Sequence, residues 1–284
     1  MGLSSIASLN FRPWLEPLRD AIGSIGDCNA NRHGDYHEQC GASARVHWVT
    51  LADALAQSQR IKNYQNQLIR FAPQQLNTKQ AYELGIAQTG VVTCRTAAAG
   101  FSGAQERHDW YNALMWLQFP RTKALLNQLQ AGASLEQIAS DHPSGSRGAL
   151  RDALTVFDEN ALILCHNNPT LIALLRDKQW TTALHTLRSE WGCSIKPLVF
   201  GHALAQKLDQ PFKSITAHAY VLTVPEQDLF KLDKAQIDAA LHRSLAQISW
   251  PEKPFLPLPV MGIPNWSELN EDVNFYNDPK VFRA

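Results

Sequence analysis

The chain has 284 residues, enough to bury a core as one large domain or two small ones. Hydrophobic residues make up 45% and charged residues 18%, which excludes general disorder. Lys+Arg and Asp+Glu balance at 26 each, so a dominant nucleic-acid footprint is not favoured and only a local basic patch remains open.

The opening stretch has no basic segment and no apolar core ahead of Arg12, which argues against a secretory signal. No apolar run approaches the roughly 18 residues that a membrane helix needs. The expectation is a cytoplasmic protein without a membrane segment. Five cysteines, at 28, 40, 94, 165 and 193, are an odd number without a CxxC pair, so no disulfide framework is expected.

In chain order, residues 11–22 predict a short helix with Trp14, Leu15, Leu18 and Ile22 on one stripe, and residues 24–45 predict a polar loop. Within that loop Cys28, His33, His37 and Cys40 form a zinc-compatible inventory. Their spacing matches no standard finger, and a loop without metal is the preferred reading. Helical spacing returns over Val49–Gln59, with Thr50 as its cap, and again over Lys79–Gln88. Residues 95–105 are small and flexible and lead into a helix that starts near His108 and breaks or bends at Pro120. A second helix follows over Thr122–Leu129, and Ser134 with Gln137 reads as the capping box of a third.

Ala153–Phe157 and Ala161–Cys165 predict two strands of a hairpin, turned by Asp158-Glu159-Asn160. Asn168-Pro169 opens a helical pair that runs to Trp191, with Gly192 in the left-handed position that ends it. Val199–Leu208 reads as helix, Ile215–Val224 as a buried strand, and Asp233–Ile248 as an amphipathic helix. Five prolines between 251 and 264 argue against regular structure there. Trp266, Phe275, Tyr276, Val281 and Phe282 mark a tail that packs onto the body. The sum is an α+β fold, predominantly helical, with a small antiparallel sheet. Residues 1–47 form an N-terminal helix and variable loop, and residues 48–284 one globular domain that includes the packed tail.

Candidate chemistry begins with His108, Asp109 and Asn112, placed at the exposed end of an aromatic-rich helix. Histidine is the usual acid–base group near neutral pH, and a carboxylate can orient it or hold a metal. The competing reading is an ordinary helix start, where acids are favoured by the dipole. Arg147 and Arg151, four apart, can clamp a carboxylate or phosphate, against a plainer reading as surface ion pairing, Arg151 with Asp109 or Asp158. His202 and His218 sit among small apolar residues, as core histidines or as the polar groups of a pocket shared with His108. Asp158 and Glu159 are better explained by a turn than by metal binding. No cofactor can be named, and no metal ligand is assigned. Gly-rich phosphate loops, GxSxG, HExxH and DxDxDG are absent from the sequence.

The segments FAPQ (71–74), HDWYNALMWLQFPRTKALLN (108–127), RGALRDALTVFDENA (147–161), FGHAL (200–204), ITAHAYVL (215–222) and LPVMGIPNW…FYNDPKVFR (258–283) resemble, in order, the bacterial family called Domain of Unknown Function 3025. The resemblance runs from about residue 48 to the end and implies no activity. It also implies that the 28–45 loop is peripheral. A longer Ala/Gly-rich insert separates Arg95 from His108 here, so the resemblance does not carry an Arg95–His108 partnership over.

Two functions follow as expectations. One is a hydrolase- or transferase-type enzyme on a small anionic or phosphorylated substrate, with His108, Asp109 and His218 catalytic and Asn112, Arg147, Arg151 and His202 binding. The other is a non-catalytic module for a protein partner or RNA, using Trp110 and Tyr111 with Arg121 and Lys123 as a stacking surface.

Overall fold

The computed structural model describes residues 13–14, 47–75, 82–139, 148–224, 229–250 and 253–284. Most of the expected 11–22 helix, the 24–45 loop with its Cys/His inventory, and Arg147 lie outside them. The fold is α+β, and none of its described helices is long and apolar enough to cross a membrane. The chain divides into two compact units, Met1–Asn10 with Leu18–Leu154, and Phe11–Pro17 with Thr155–Ala284.

The first unit is built from α1 (His47–Ser58), β1 (Arg70–Pro73), α2 (Tyr82–Thr89), β2 (Val91–Cys94), α3 (Gly103–Gln118) and α4 (Pro120–Ala139). Thr50 lies inside α1 rather than capping it. Strands β1 and β2 pair in parallel, a small sheet that the sequence did not announce. The Ala/Gly stretch is ordered: Ala97–Ala99 forms a 3-10 turn closed by Gly100 at φ +88°, the left-handed region that glycine enters without strain. Ser102 and Gln105 then cap α3 reciprocally, so this helix begins five residues before His108. The break at Pro120 is present. Phe119 ends α3, and Pro120 opens α4, where its missing amide costs nothing. The expected break before Ser134 is not present; α4 is continuous, and the Ser134 hydroxyl bonds back to the Gln130 carbonyl.

The expected hairpin is replaced by a helix. Residues Ala149–Asn160 form α5, inside which the division between the units falls, and β3 (Ala161–His166) follows with no turn between. Ala153, Leu154, Phe157 and Asp158 are buried at helical spacing, while Thr155 and Val156 lie between them on the more open side.

The second unit continues with α6 (Pro169–Arg176), β4 (Ile195–Val199), α7 (His202–Lys207), β5 (Thr216–Thr223), α8 (Lys234–Leu245) and β6 (Leu256–Pro259). The sheet order is β4-β3-β5-β6. It is mixed rather than antiparallel, because β3 and β5 run parallel while the outer pairs are antiparallel. Every residue of central β3 is buried, as its unbroken apolar run requires. Between α6 and β4, Thr181–Thr186 is a π-helical turn and Arg188–Gly192 a 3-10 turn; Gly192 does not adopt the left-handed conformation. Val199 belongs to β4, so the helix expected from it starts only at His202. The prolines of β6 are tolerated because β6 is an edge strand. Asp233 and Gln236 form the capping box of α8.

The core of this unit centres on Phe157, whose ring meets Phe200 at 5.0 Å, Trp250 at 5.4 Å, Phe255 at 5.7 Å and Tyr220 at 5.9 Å. The tail packs as expected. Trp266, Phe275, Tyr276 and Phe282 are buried, and Asn270 donates to the carbonyls of Met261 and Ile263.

Candidate functional site

In the first unit the polar residues of α3 face inward. Glu106, Asp109 and Asn112 follow one another at three-residue steps on one buried face, not at an exposed helix end. Glu106 accepts from the Trp48 indole at 3.2 Å. The carboxylate of Asp109 is held by Arg95 at several points: the backbone amide at 2.6 Å, Nε at 3.0 Å and Nη2 at 2.5 Å. Arg95 therefore partners the residue after His108, a contact made by the folded insert. Asn112 donates to the Tyr82 hydroxyl at 2.9 Å and accepts from the buried Lys123 ammonium at 2.8 Å. Burial, with the Asp109 carboxylate adding to it and Arg95 opposing, raises the Cys94 thiol well above its ordinary range, so this cysteine is no nucleophile. The surroundings of Asp109 and Asn112 are those of a satisfied structural network. His108 is half-buried on the same helix, and Arg151 is half-buried on α5. Trp110, Tyr111 and Lys123 are buried, which removes the stacking surface expected of an RNA-binding face.

The second unit holds a different cluster, at the junction of α5 with β3. Gly201, the N-cap of α7, lies directly on the backbone of Glu159–Ala161, and its amide donates to the Ala161 carbonyl at 2.8 Å. That contact sets His202 between the last two acids of α5. Its Nδ1 faces Asp158 Oδ2 at 3.8 Å and its Nε2 faces Glu159 Oε2 at 3.3 Å. The side chains of His202 and Asp158 are 6% and 9% exposed, that of Glu159 38%. One carboxylate is thus sealed in, and the other opens to solvent. From the end of α7, Lys207 donates to the Asn160 side chain at 3.2 Å.

His218 occupies the same end of the sheet, as the register partner of Ala161 on β5. Its ring stands edge-on to Phe255 at 6.2 Å, and its Nδ1 is buried without a hydrogen-bond partner. Burial, helped by the charges of Lys207 and Lys253, lowers its pKa below 6.5 and keeps the ring neutral at physiological pH. The structure therefore brings His202 to the Asp158-Glu159-Asn160 run, and puts His218 at the same end of the sheet. In place of the turn expected over that run, Asp158, Glu159 and Asn160 end α5. The adjacency of DEN to an apolar strand and of FGH to a helix start were the available signals, but nothing in a single sequence pairs them.

A mixed sheet whose central strand starts beside a buried imidazole flanked by two carboxylates defines an α+β protein with a histidine–carboxylate cluster. The chain belongs to the DUF3025 family, described as a protein of unknown function, whose model matches residues 69–284. No curated protein and no solved structure matches it.

Proposed function

We propose that this protein is a hydrolase- or transferase-type enzyme acting on a small anionic or phosphorylated substrate, with its acid–base chemistry centred on His202. One observation carries the proposal: both nitrogens of a buried imidazole face carboxylates, one sealed and one open. Asp158 is the positioning group, a sealed carboxylate 3.8 Å from Nδ1 on the far side of the ring. Glu159 and Nε2 form the edge that water or a substrate hydroxyl can reach, and a proton taken there can be returned to a leaving group. Lys207, whose ammonium reaches the Asn160 side chain, is a cation that an anionic substrate would meet at the end of α7. The role expected of His108 and Asp109 thus passes to a His/Asp pair later in the chain, because Asp109 is engaged by Arg95. A reducing, cytoplasmic setting belongs to the same proposal, supported by the free thiols of Cys94, Cys165 and Cys193.

The test is turnover of a panel of chromogenic phosphate esters and carboxylic esters by the full chain and by His202→Gln. The expected result is activity in the parent that falls about 100-fold or more in the variant at an unchanged melting temperature. Equal activity in both proteins, or none in the parent across the panel, would reject the reading.

A further inference from the structure

We infer that the Nε2–Oε2 edge formed by His202 and Glu159 is a binding site for a divalent first-row metal ion. The inference deepens the acid–base reading of the same centre by naming what occupies its reactive edge.

A neutral imidazole carries one N–H, yet His202 presents its two nitrogens to two carboxylates. With the proton on Nδ1, toward sealed Asp158, the Nε2 lone pair faces a carboxylate oxygen at 3.3 Å. In that tautomer two acceptors stand together and can share a cation. The separation also has the right length. Two donors bound to one ion at about 2.1 Å stand about 3.0–3.4 Å apart in octahedral or tetrahedral geometry. An imidazole with a carboxylate is a donor set suited to Zn²⁺, Mn²⁺ or Fe²⁺.

Asp158 completes the pattern. Metal-bound histidines turn their other ring nitrogen toward a carboxylate, and Asp158 Oδ2 lies on that side of His202, 3.8 Å from Nδ1 and short of a hydrogen bond. The neighbouring contacts are rigid. Gly201 rests on the Glu159–Ala161 backbone, so His202 and Glu159 are fixed to one another through main chain rather than through a flexible loop. The chain supplies at least these two donors, and water or substrate oxygens would fill the open positions of a working metal. A bound ion would lower the pKa of its water and supply the nucleophile for hydrolysis of an anionic ester.

The experiment is Mn²⁺ titration of the full chain, followed by loss of the free-ion electron paramagnetic resonance signal. Parallel titrations use His202→Ala, Glu159→Gln and Asp158→Asn, each checked for folding by melting temperature, and Cys28→Ser/Cys40→Ser as a control for the N-terminal thiols. The expected result is one equivalent bound, with affinity lost in His202→Ala and reduced at least 10-fold in Glu159→Gln. Asp158→Asn reduces it about 10–100-fold, and the cysteine control leaves it unchanged. Glu159 is partly exposed, so its variant keeps the test decisive even if His202→Ala fails to fold. Absence of binding, or binding that neither Glu159→Gln nor Asp158→Asn weakens, overturns the inference. Failure of the metal site is distinguishable from failure of the enzyme reading. In the first case chelator-treated protein still turns over substrate in a His202-dependent way. In the second, Mn²⁺ binds but His202→Gln costs no activity.

Discussion

Gly201 packs so closely on Glu159 that a β-carbon at position 201 would stand 2.5 Å from the Glu159 carbonyl oxygen and from the Asn160 amide nitrogen. The start of α7 is thereby held against the end of α5, and His202 against the two acids there. Gly201→Ala must push these backbones apart. We expect a destabilisation of about 1–3 kcal/mol, read by urea denaturation, together with a loss of turnover larger than the stability change explains. An alanine variant with parental stability and turnover would mean that the contact does not position His202.

The Arg95–Asp109 pair organises the first unit. Arg95→Ala leaves the Asp109 carboxylate buried with only a backbone donor among the contacts made by Arg95. Breaking a buried pair costs about 3–5 kcal/mol, and partial exposure of the Arg95 side chain, at 29%, places this case at or below the lower end. The check is the denaturation midpoint. Asp109→Asn, which keeps shape and removes charge, should cost less than Arg95→Ala.

Much of this architecture was legible because it rests on local signals. The break at Pro120, the amphipathic helix from Asp233 and the aromatic tail are each legible in a short stretch of residues. The failures share a physical cause. Ala153–Phe157 looks like a strand in a five-residue window because Thr155 and Val156 are β-branched. Extended through Asp158, the same stretch shows helical burial of Ala153, Leu154, Phe157 and Asp158. Pro257 and Pro259 argue against a strand in sequence, and only the sheet order shows that their strand is an edge. The His202 cluster depends on a glycine touching backbone some forty residues earlier, and such a contact leaves no mark in composition or period. Arg95 and Asp109 meet because an insert that looked flexible folds into a capped turn.

His166 offers a pH-dependent readout of the sheet. It is buried at the end of β3, with Nε2 3.1 Å from the Thr223 hydroxyl. Burial lowers its pKa below 6.5, with a contribution from Arg176, while a backbone contact at Asn168 opposes the shift. The fold thus favours the neutral ring, and the unfolded chain takes up the proton first as pH falls. This contribution is complete above about pH 6.5 and is lost as pH drops from there toward the lower folded-state value. Urea midpoints between about pH 7.5 and 5 should fall less steeply for His166→Gln than for the parent. Parallel slopes would show that His166 titrates alike in both states.

Asn270 should anchor the tail. Fully buried, it donates to two carbonyls, and its own carbonyl accepts from Arg188 at 2.7 Å. Asn270→Ala leaves the Met261 and Ile263 carbonyls without these donors, at about 1–3 kcal/mol for each group left unsatisfied. A melting temperature within a degree or so of the parent would contradict this anchoring.

The most direct test of the central claim is a double-mutant comparison at the imidazole. If Asp158 works through His202, turnover by Asp158→Asn/His202→Gln matches that of His202→Gln alone, because a positioning group has nothing left to position. Losses that multiply, or that track the melting temperatures of the variants, would contradict an acid–base centre built on this pair.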